Sequence, residues 1–351
     1  MLSRLDTSYD LYQWTHLPII DVRSPSEFAQ GHWPAALNIP LLNDPQRAAV
    51  GTAYKEQGHY AAVQLGFKLA GASFHKMIQS VIDAAPGSHV HIYCARGGLR
   101  SEIMEWMLEK SGLKVLRLEG GYKTIRHAVL EILAQPWPLR ILGGATGSGK
   151  TDVLHQWRAL QLAQVIDLEG LANHKGSAFG ALGQEPQPST EHFENRLAFE
   201  LLQMDPQHAI WLEDESRMIG QVKIPDAFFD RMMDAPWALI DVDFDKRRQR
   251  IVSDYGRHPR IKLSEATIRV RKRLGNQRLA EALEALDRDD LPLWANIMLQ
   301  YYDKYYHKAM TQHRQPPAVQ ATFSGTASPA GARKLFEKIE DSMRKEESTD
   351  V

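Results

Sequence analysis

Short apolar runs alternate with amphipathic stretches along most of the chain, and the alternation predicts an α/β fold. Leu17-Pro18-Ile19-Ile20 reads as a buried strand closing on Asp21-Val22-Arg23. Ser24-Pro25-Ser26-Glu27-Phe28 then carries the marks of a helix start: Ser24 as cap, Pro25 in the first turn, and Glu27 three residues beyond the cap. The stretch Gly31–Pro40 is a loop leading into another short strand. Val90-His91-Ile92-Tyr93 predicts a further strand, with Leu99, Ile103, Trp106 and Met107 repeating at helical spacing behind it. The order returns in the second half, where the strand Leu139-Arg140-Ile141-Leu142 precedes helically spaced Val153, Leu154, Trp157 and Leu160. Val165-Ile166 and Ala209-Ile210-Trp211-Leu212 add two more strands. Between the halves, Leu133-Ala134-Gln135-Pro136-Trp137-Pro138 interrupts a helical pattern with two prolines. We therefore place one domain over 1–134, a second over 139–343, and a polar tail over 344–351.

Composition agrees with two cores and narrows the setting. A chain of 351 residues, 43% of them hydrophobic, is too long for one ordinary core. Its one cysteine excludes an internal disulfide framework and a cysteine-rich zinc or iron-sulfur site, and fits a reducing compartment. The start, Met1-Leu2-Ser3-Arg4-Leu5-Asp6, lacks an apolar core of signal-peptide length, and no run approaches the roughly eighteen apolar residues of a membrane span. The expectation is a cytoplasmic protein with no membrane partner. A net charge of −1 leaves nucleic acid to be judged from local patches.

That cysteine lies in Tyr93-Cys94-Ala95-Arg96-Gly97-Gly98-Leu99-Arg100-Ser101, between a strand and a helix. Such an order sets the sulfur over a helix N-terminus, where the dipole, free backbone N–H groups, Arg96 and Arg100 all favour a thiolate. A thiolate there can act as nucleophile or carry a second chalcogen; a lone cysteine elsewhere is more often a small buried hydrophobe.

Asp21-Val22-Arg23, Glu27-Phe28, Gly31-His32, Ala36, Asn38-Ile39-Pro40, the loop Cys94–Arg100 and Leu118-Glu119-Gly120-Gly121-Tyr122 follow one another in the order of a rhodanese domain. On these residues the stretch from about 5 to 130 resembles the rhodanese family. The resemblance implies an α/β sulfurtransferase domain whose cysteine carries a persulfide cradled by loop amides, with the loop arginine assisting. Between Leu41 and His75 the chain departs from a plain rhodanese: a long segment punctuated by Gly51, Gly66 and Gly71 is either a surface insertion or part of a substrate pocket over the cysteine.

After the strand Leu139–Leu142, Gly144-Ala145-Thr146-Gly147-Ser148-Gly149-Lys150-Thr151 satisfies the phosphate-loop pattern, with an amphipathic helix behind it. Glycines let successive N–H groups face an anion, Lys150 neutralises an outer phosphate, and the Thr151 hydroxyl can bind Mg²⁺. The strand Ala209–Leu212 ends in Glu213-Asp214-Glu215-Ser216, where such a fold places a second Mg²⁺ contact; Asp214 and Glu213 are both candidates, and a helix cap is the bland role for either. The glycines and charges from Asp167 to Gly180 suggest a functional loop near the phosphate site.

From Lys246 to Arg278 the chain carries twelve Lys or Arg (246, 247, 248, 250, 257, 260, 262, 269, 271, 272, 273 and 278) against Asp254 and Glu265, a formal +10. Phosphates are the natural partner of such a run, and a solvated helix face the bland reading. Arg247, Arg248, Arg250, Arg269, Arg271, Lys272 and Arg273 are the candidate RNA contacts. Tyr301, Tyr302, Tyr305 and Tyr306 could stack on bases, although their spacing suits core packing.

A rhodanese followed by a phosphate-loop domain, with Glu213-Asp214-Glu215-Ser216-Arg217-Met218-Ile219-Gly220 and the glycine loop from Glu169 to Gly180, resembles the tRNA 2-selenouridine synthase family over nearly the whole chain. The resemblance implies conversion of wobble 2-thiouridine, in the tRNAs for lysine, glutamate and glutamine, to 2-selenouridine through an S-geranyl intermediate. Geranyl diphosphate and then selenophosphate are the substrates, the latter made by a separate selenophosphate synthase. Cys94 is expected to take selenium as a perselenide with Arg96 and Arg100 binding the donor. The loop Gly144–Thr151, with Mg²⁺ on Thr151 and Asp214, is expected to hold the diphosphate, and the basic segment the anticodon arm. A sulfurtransferase fused to a small-molecule kinase and a non-catalytic persulfide carrier are the rival readings.

Overall fold

The computed structural model describes residues 17–87, 89–313, 316–325 and 327–347. The chain divides into two compact units, the first comprising the described residues through Ala134 together with Glu191–Gln203, the second Gln135–Thr190 and the chain from Met204 onward. The proline-marked boundary thus coincides with the end of the first unit. The expected first domain's residues 1–16 lie outside the described residues.

In the first unit, β1 (Ile19–Asp21), β2 (Ala36–Asn38), β3 (His89–Tyr93) and β4 (Lys114–Arg117) form one sheet in the order β2-β1-β3-β4. All its pairings are parallel, so both faces need covering, and Ile19, Ile20, Val90 and Ile92 are fully buried. Val81 of the helix Phe74–Ala84 and Met104 and Leu108 of the helix Leu99–Lys110 close this core. The second of these helices is the one expected behind the strand, but its buried face is Ser101, Met104, Met107 and Leu108. Trp106 and Leu99 lie outside, 60% and 41% exposed. Positions 99, 103 and 106 share a stripe rotated away from the one that faces the sheet.

The long segment after Leu41 is helical, Asp44–Ala70, with a kink at Gly58, whose φ of 87° a residue with a side chain would rarely adopt. A second helix, Thr190–Leu201, packs on this unit although its sequence lies inside the expected second domain. Asn195 donates to the His32 carbonyl (2.9 Å) and to Tyr122 Oη (2.8 Å), which in turn donates to Glu191 (2.8 Å).

In the second unit, β5 (Leu139–Gly144), β6 (Gln164–Val165), β7 (Ile210–Glu213), β10 (Trp237–Asp241) and β11 (Val319–Thr322) form a sheet in the order β11-β10-β5-β7-β6, again with parallel pairings only. A small antiparallel hairpin, β8 (Met218–Ile219) and β9 (Val222–Lys223), stands apart. The central strand β5 feeds the phosphate loop, and Val153, Leu154 and Trp157 of the helix Lys150–Ala159 bury against the sheet. Trp157 Nε1 donates to the Ala332 carbonyl (2.9 Å) of the helix Pro329–Glu347, whose Leu335, Ile339 and Met343 complete that face. Residues 344–347, expected in a polar tail, therefore continue a helix, and 348–351 lie outside the described residues. The helices Arg260–Arg269, Asn276–Asp287 and Leu291–His313 build a separate cluster around Leu263, Leu286, Trp294 and Met298. Among the described residues no helix is long and apolar enough to cross a membrane.

Candidate functional sites

The cysteine loop is held from below by glycine. Leu118-Glu119-Gly120-Gly121-Tyr122 runs beneath it, and Tyr122 and Lys123 donate their backbone N–H to the carbonyls of Cys94 (2.8 Å) and Ala95 (3.1 Å). A Cβ on Gly121 would lie 2.3 Å from the Cys94 carbonyl oxygen, which is why that position tolerates no side chain. The loop thus turns at the end of β3 and delivers Cys94, 3% exposed, beside the start of the next helix. Its Sγ lies 3.2 Å from Ser101 Oγ and 3.7 Å from the Gly98 carbonyl. Burial pushes the thiol up, but the Ser101 hydroxyl, the N–H groups of Arg96 and Ser101 and the charge of Arg100 outweigh it, so the thiol titrates below its usual range.

The two loop arginines do different work. Arg100 is clasped by Glu27, Nη1 to Oε2 at 2.5 Å and Nη2 to Oε1 at 3.1 Å, and contributes charge from a fixed position. Arg96 favours the thiolate through its backbone N–H, while its side chain is exposed at the rim of a cavity of about 730 Å³ that opens beside Cys94. The helix Asp44–Ala70 supplies much of the wall of this cavity, so the departure from a plain rhodanese is part of the pocket.

A second cavity, of about 480 Å³, surrounds the phosphate loop. Gly147 and Gly149 have φ of 77° and 79°, left-handed geometry that only glycine takes at little cost, and Gly149 caps the helix beginning at Lys150. Thr151 Oγ1 donates to Glu169 Oε2 (3.0 Å), and Lys150 Nζ lies 3.7 Å from Glu215 Oε1. Burial, followed by repulsion from Glu169, pushes the Glu215 carboxyl up to about 8 against the pull of Lys150. Burial lowers Lys150, but Glu169 and Glu215 together leave it raised and charged. Tyr306 Oη reaches Asp214 Oδ2 at 3.4 Å.

The donor set suits Mg²⁺, which favours hydroxyl and carboxylate oxygens together with substrate phosphates. Thr151 and Glu169 would hold the ion, with Asp214 lining the same cavity. Glu213 does not belong to the set: it is fully buried at the end of β7, its Oε2 accepts the Leu168 N–H (3.0 Å), and burial and Asp167 push its carboxyl well up. Glu169 and Glu215 are the residues that sequence reasoning did not single out. The signal for Glu169 was its place in a charged, glycine-rich stretch, and that for Glu215 its place in the acidic run Glu213-Asp214-Glu215 at the end of a strand.

The basic segment divides. Arg247 is buried, pairing through both guanidinium nitrogens with Asp303 (2.8 Å each) and donating to the Thr146 carbonyl (3.2 Å). Arg250 pairs with Asp152, donates to the Gly325 carbonyl and lines the phosphate cavity. Neither therefore faces outward as an RNA contact; acidic partners distant in sequence draw both inward. Arg248 is half-buried and pairs with Asp245 (2.9 Å). Arg269, Arg271, Lys272 and Arg273 are exposed, and Arg273 stands 5.8 Å from the Tyr305 ring centroid. Of the tyrosines, Tyr301 is core and Tyr305 is 37% exposed.

The family described as "Rhodanese-like domain" matches residues 6–128, and the one described as "tRNA 2-selenouridine synthase AAA domain" matches residues 137–330. Among curated relatives, the tRNA 2-selenouridine synthase of Shewanella denitrificans is 37% identical, covering 85% of this chain and 89% of its own. That of Serratia proteamaculans is 37% identical over 85% and 88%, and that of Salmonella schwarzengrund 36% identical over 91% and 96%. With relatives 36–37% identical over 85–91% of the chain, and the two family matches together taking in both site-bearing halves, this chain belongs to the tRNA 2-selenouridine synthase family.

Proposed function

We propose that the chain is an enzyme acting on tRNA, replacing the 2-thio sulfur of the wobble uridine by selenium in two steps at two separate sites. The observation that carries this reading is the presence, in one chain of this family, of a cysteine titrating below its usual range beside one cavity and a phosphate loop in another.

In the first step the 2-thio sulfur attacks the first carbon of geranyl diphosphate. The S–C bond forms, the C–O bond breaks, the diphosphate takes the electron pair, and the base gives up its N3 proton to solvent. Lys150 and the backbone of Gly144, Gly147, Ser148 and Gly149 stabilise the charge that develops on it. A bound Mg²⁺ supplies further charge neutralisation. Alkylation turns a poor leaving group into a thiolate that departs readily.

In the second step selenium replaces geranylthiolate. Selenium in selenophosphate is already at the oxidation level of selenide, so a perselenide on Cys94 would call for an oxidant. The exchange balances without one when the Cys94 thiolate attacks phosphorus: the S–P bond forms, the P–Se bond breaks, and selenide leaves with the pair. Selenide then adds to C2 of the base, the C2–S bond breaks, geranylthiolate takes the pair and a solvent proton, and water hydrolyses the phosphocysteine. Arg96, the loop N–H groups and the charge of Arg100 receive the phosphoryl oxygens. A selenophosphate synthase supplies the donor, and Arg269, Arg271, Lys272 and Arg273 hold the anticodon arm of the tRNAs for lysine, glutamate and glutamine.

The test uses purified protein, an anticodon stem-loop bearing 2-thiouridine, geranyl diphosphate and then selenophosphate. Cys94→Ser should complete geranylation and stop, and Lys150→Ala should do neither step on unmodified RNA while selenating pre-geranylated RNA. Equal loss of both steps in folded Cys94→Ser protein would refute the division, and ATP turnover without RNA would favour a sulfurtransferase fused to a kinase.

A further inference from the structure

The cavity beside Cys94 is larger and more apolar than a phosphate-like donor needs. At about 730 Å³ it falls among sites that bury a whole small molecule, roughly 300–1,000 Å³. Selenophosphate, close in size to inorganic phosphate, would occupy only the end formed by Cys94, Arg96 and Arg100. The wall beyond that end is hydrocarbon: Leu41, Leu42, Val50, Val63, Phe74 and Ile103. At the rim Tyr54 and Phe67 remain 58% and 47% exposed, on opposite sides of the Gly58 kink in the helix Asp44–Ala70. Large apolar side chains left in solvent around an apolar cavity mark a surface that a ligand covers. The charges agree with a ligand that is part lipid and part polyanion. Arg47 and Lys55 also line the cavity, and its one acid, Glu27, is held by Arg100.

We infer that this cavity is a terpenyl-binding site that holds the S-geranyl chain of the modified uridine while C2 of the base lies against the Cys94 end. The inference rests on the two-step reading above and adds where the ten-carbon chain goes during selenation. It makes the alkyl group a handle as well as a leaving group: the pocket selects bases already alkylated, and an unmodified 2-thiouridine brings nothing to fill it.

The test compares anticodon stem-loops bearing S-methyl- and S-geranyl-2-thiouridine, with selenophosphate and the full-length protein, reading kcat/KM for 2-selenouridine formation. Wild type should prefer the geranyl substrate at least tenfold, and Val63→Trp and Val50→Phe, which fill the cavity, should each cut that ratio at least fivefold. An unchanged ratio in variants that melt cooperatively overturns the inference. Equal turnover of both substrates by wild type also overturns it but leaves the two-step reading standing. No turnover of either substrate refutes that reading and the inference with it. A geranyl analogue carrying a diazirine, attached to the same RNA, locates the chain without any variant: crosslinks within 41–74 or at Ile103 support the site, and crosslinks confined to residues that do not line this cavity contradict it.

Discussion

Arg100 and Glu27 are 73 residues apart in the chain and meet through both guanidinium nitrogens and both carboxylate oxygens. The helix start at Ser24 places Glu27, which also accepts the Ser24 N–H (3.0 Å), and the cysteine loop places Arg100. The pair fixes one positive charge near Cys94 without leaving it free to swing into solvent.

Burial works against ionised Glu27, but Arg100 and the Ser24 N–H hold its carboxyl at about 2, below the ordinary 4.5. A depressed carboxyl stabilises the fold above the ordinary value and loses that contribution as pH falls through the folded one. Glu27→Gln should therefore cost about 1–2 kcal/mol at pH 7, with the difference from wild type shrinking as pH falls from 4.5 towards 2. Thermal melts across that range check it; a deficit independent of pH would contradict the assignment.

Ser101 Oγ, 3.2 Å from Cys94 Sγ, is the side chain that contributes most to lowering the thiol. Ser101→Ala should raise the midpoint of the pH–alkylation curve with iodoacetamide and slow the reaction at pH 7 by roughly two- to tenfold. An unchanged midpoint would assign the low titration to the loop amides and the charge of Arg100.

These contacts mark how far the sequence could be read. Strand, tight loop and helix around Cys94, and again around Gly144–Thr151, are local patterns, and local spacing carried both. What spacing lacked was the partner brought by the fold: Glu27 for Arg100, Glu169 for Thr151, Asp303 for Arg247. The same reason hid the helix Thr190–Leu201, whose Asn195 and Glu191 bind Tyr122, about seventy residues earlier. A run of like charge also says nothing about which members turn inward, so Arg247 and Arg250 read as surface although their acids draw them in.

Glu215 gives the opposite pH behaviour to Glu27. A carboxyl raised on folding favours the native state while the unfolded chain is still protonated, so stability falls as pH rises from 4.5 to about 8 and is level above. Glu215→Gln should flatten that decline. Denaturant titrations at several pH values between the two limits measure the slope, and an unaltered slope would place the raised group elsewhere.

Arg247 and Lys272 should separate structure from binding. Removing the buried partner of Asp303 by Arg247→Ala should cost about 3 kcal/mol. Lys272→Ala, at an exposed position, should leave stability unchanged and reduce the slope of log affinity for tRNA against log salt by about one. A steep loss of salt dependence in Arg247→Ala with stability intact would reverse the two assignments.

The most direct test of the two-site account is mass spectrometry of tRNA nucleosides from a strain lacking this gene, complemented with wild type, Cys94→Ala or Lys150→Ala. The account predicts 2-selenouridine with wild type, the S-geranyl nucleoside with Cys94→Ala and plain 2-thiouridine with Lys150→Ala. Geranylated nucleoside in the Lys150→Ala strain, or its absence from the Cys94→Ala strain, would contradict it.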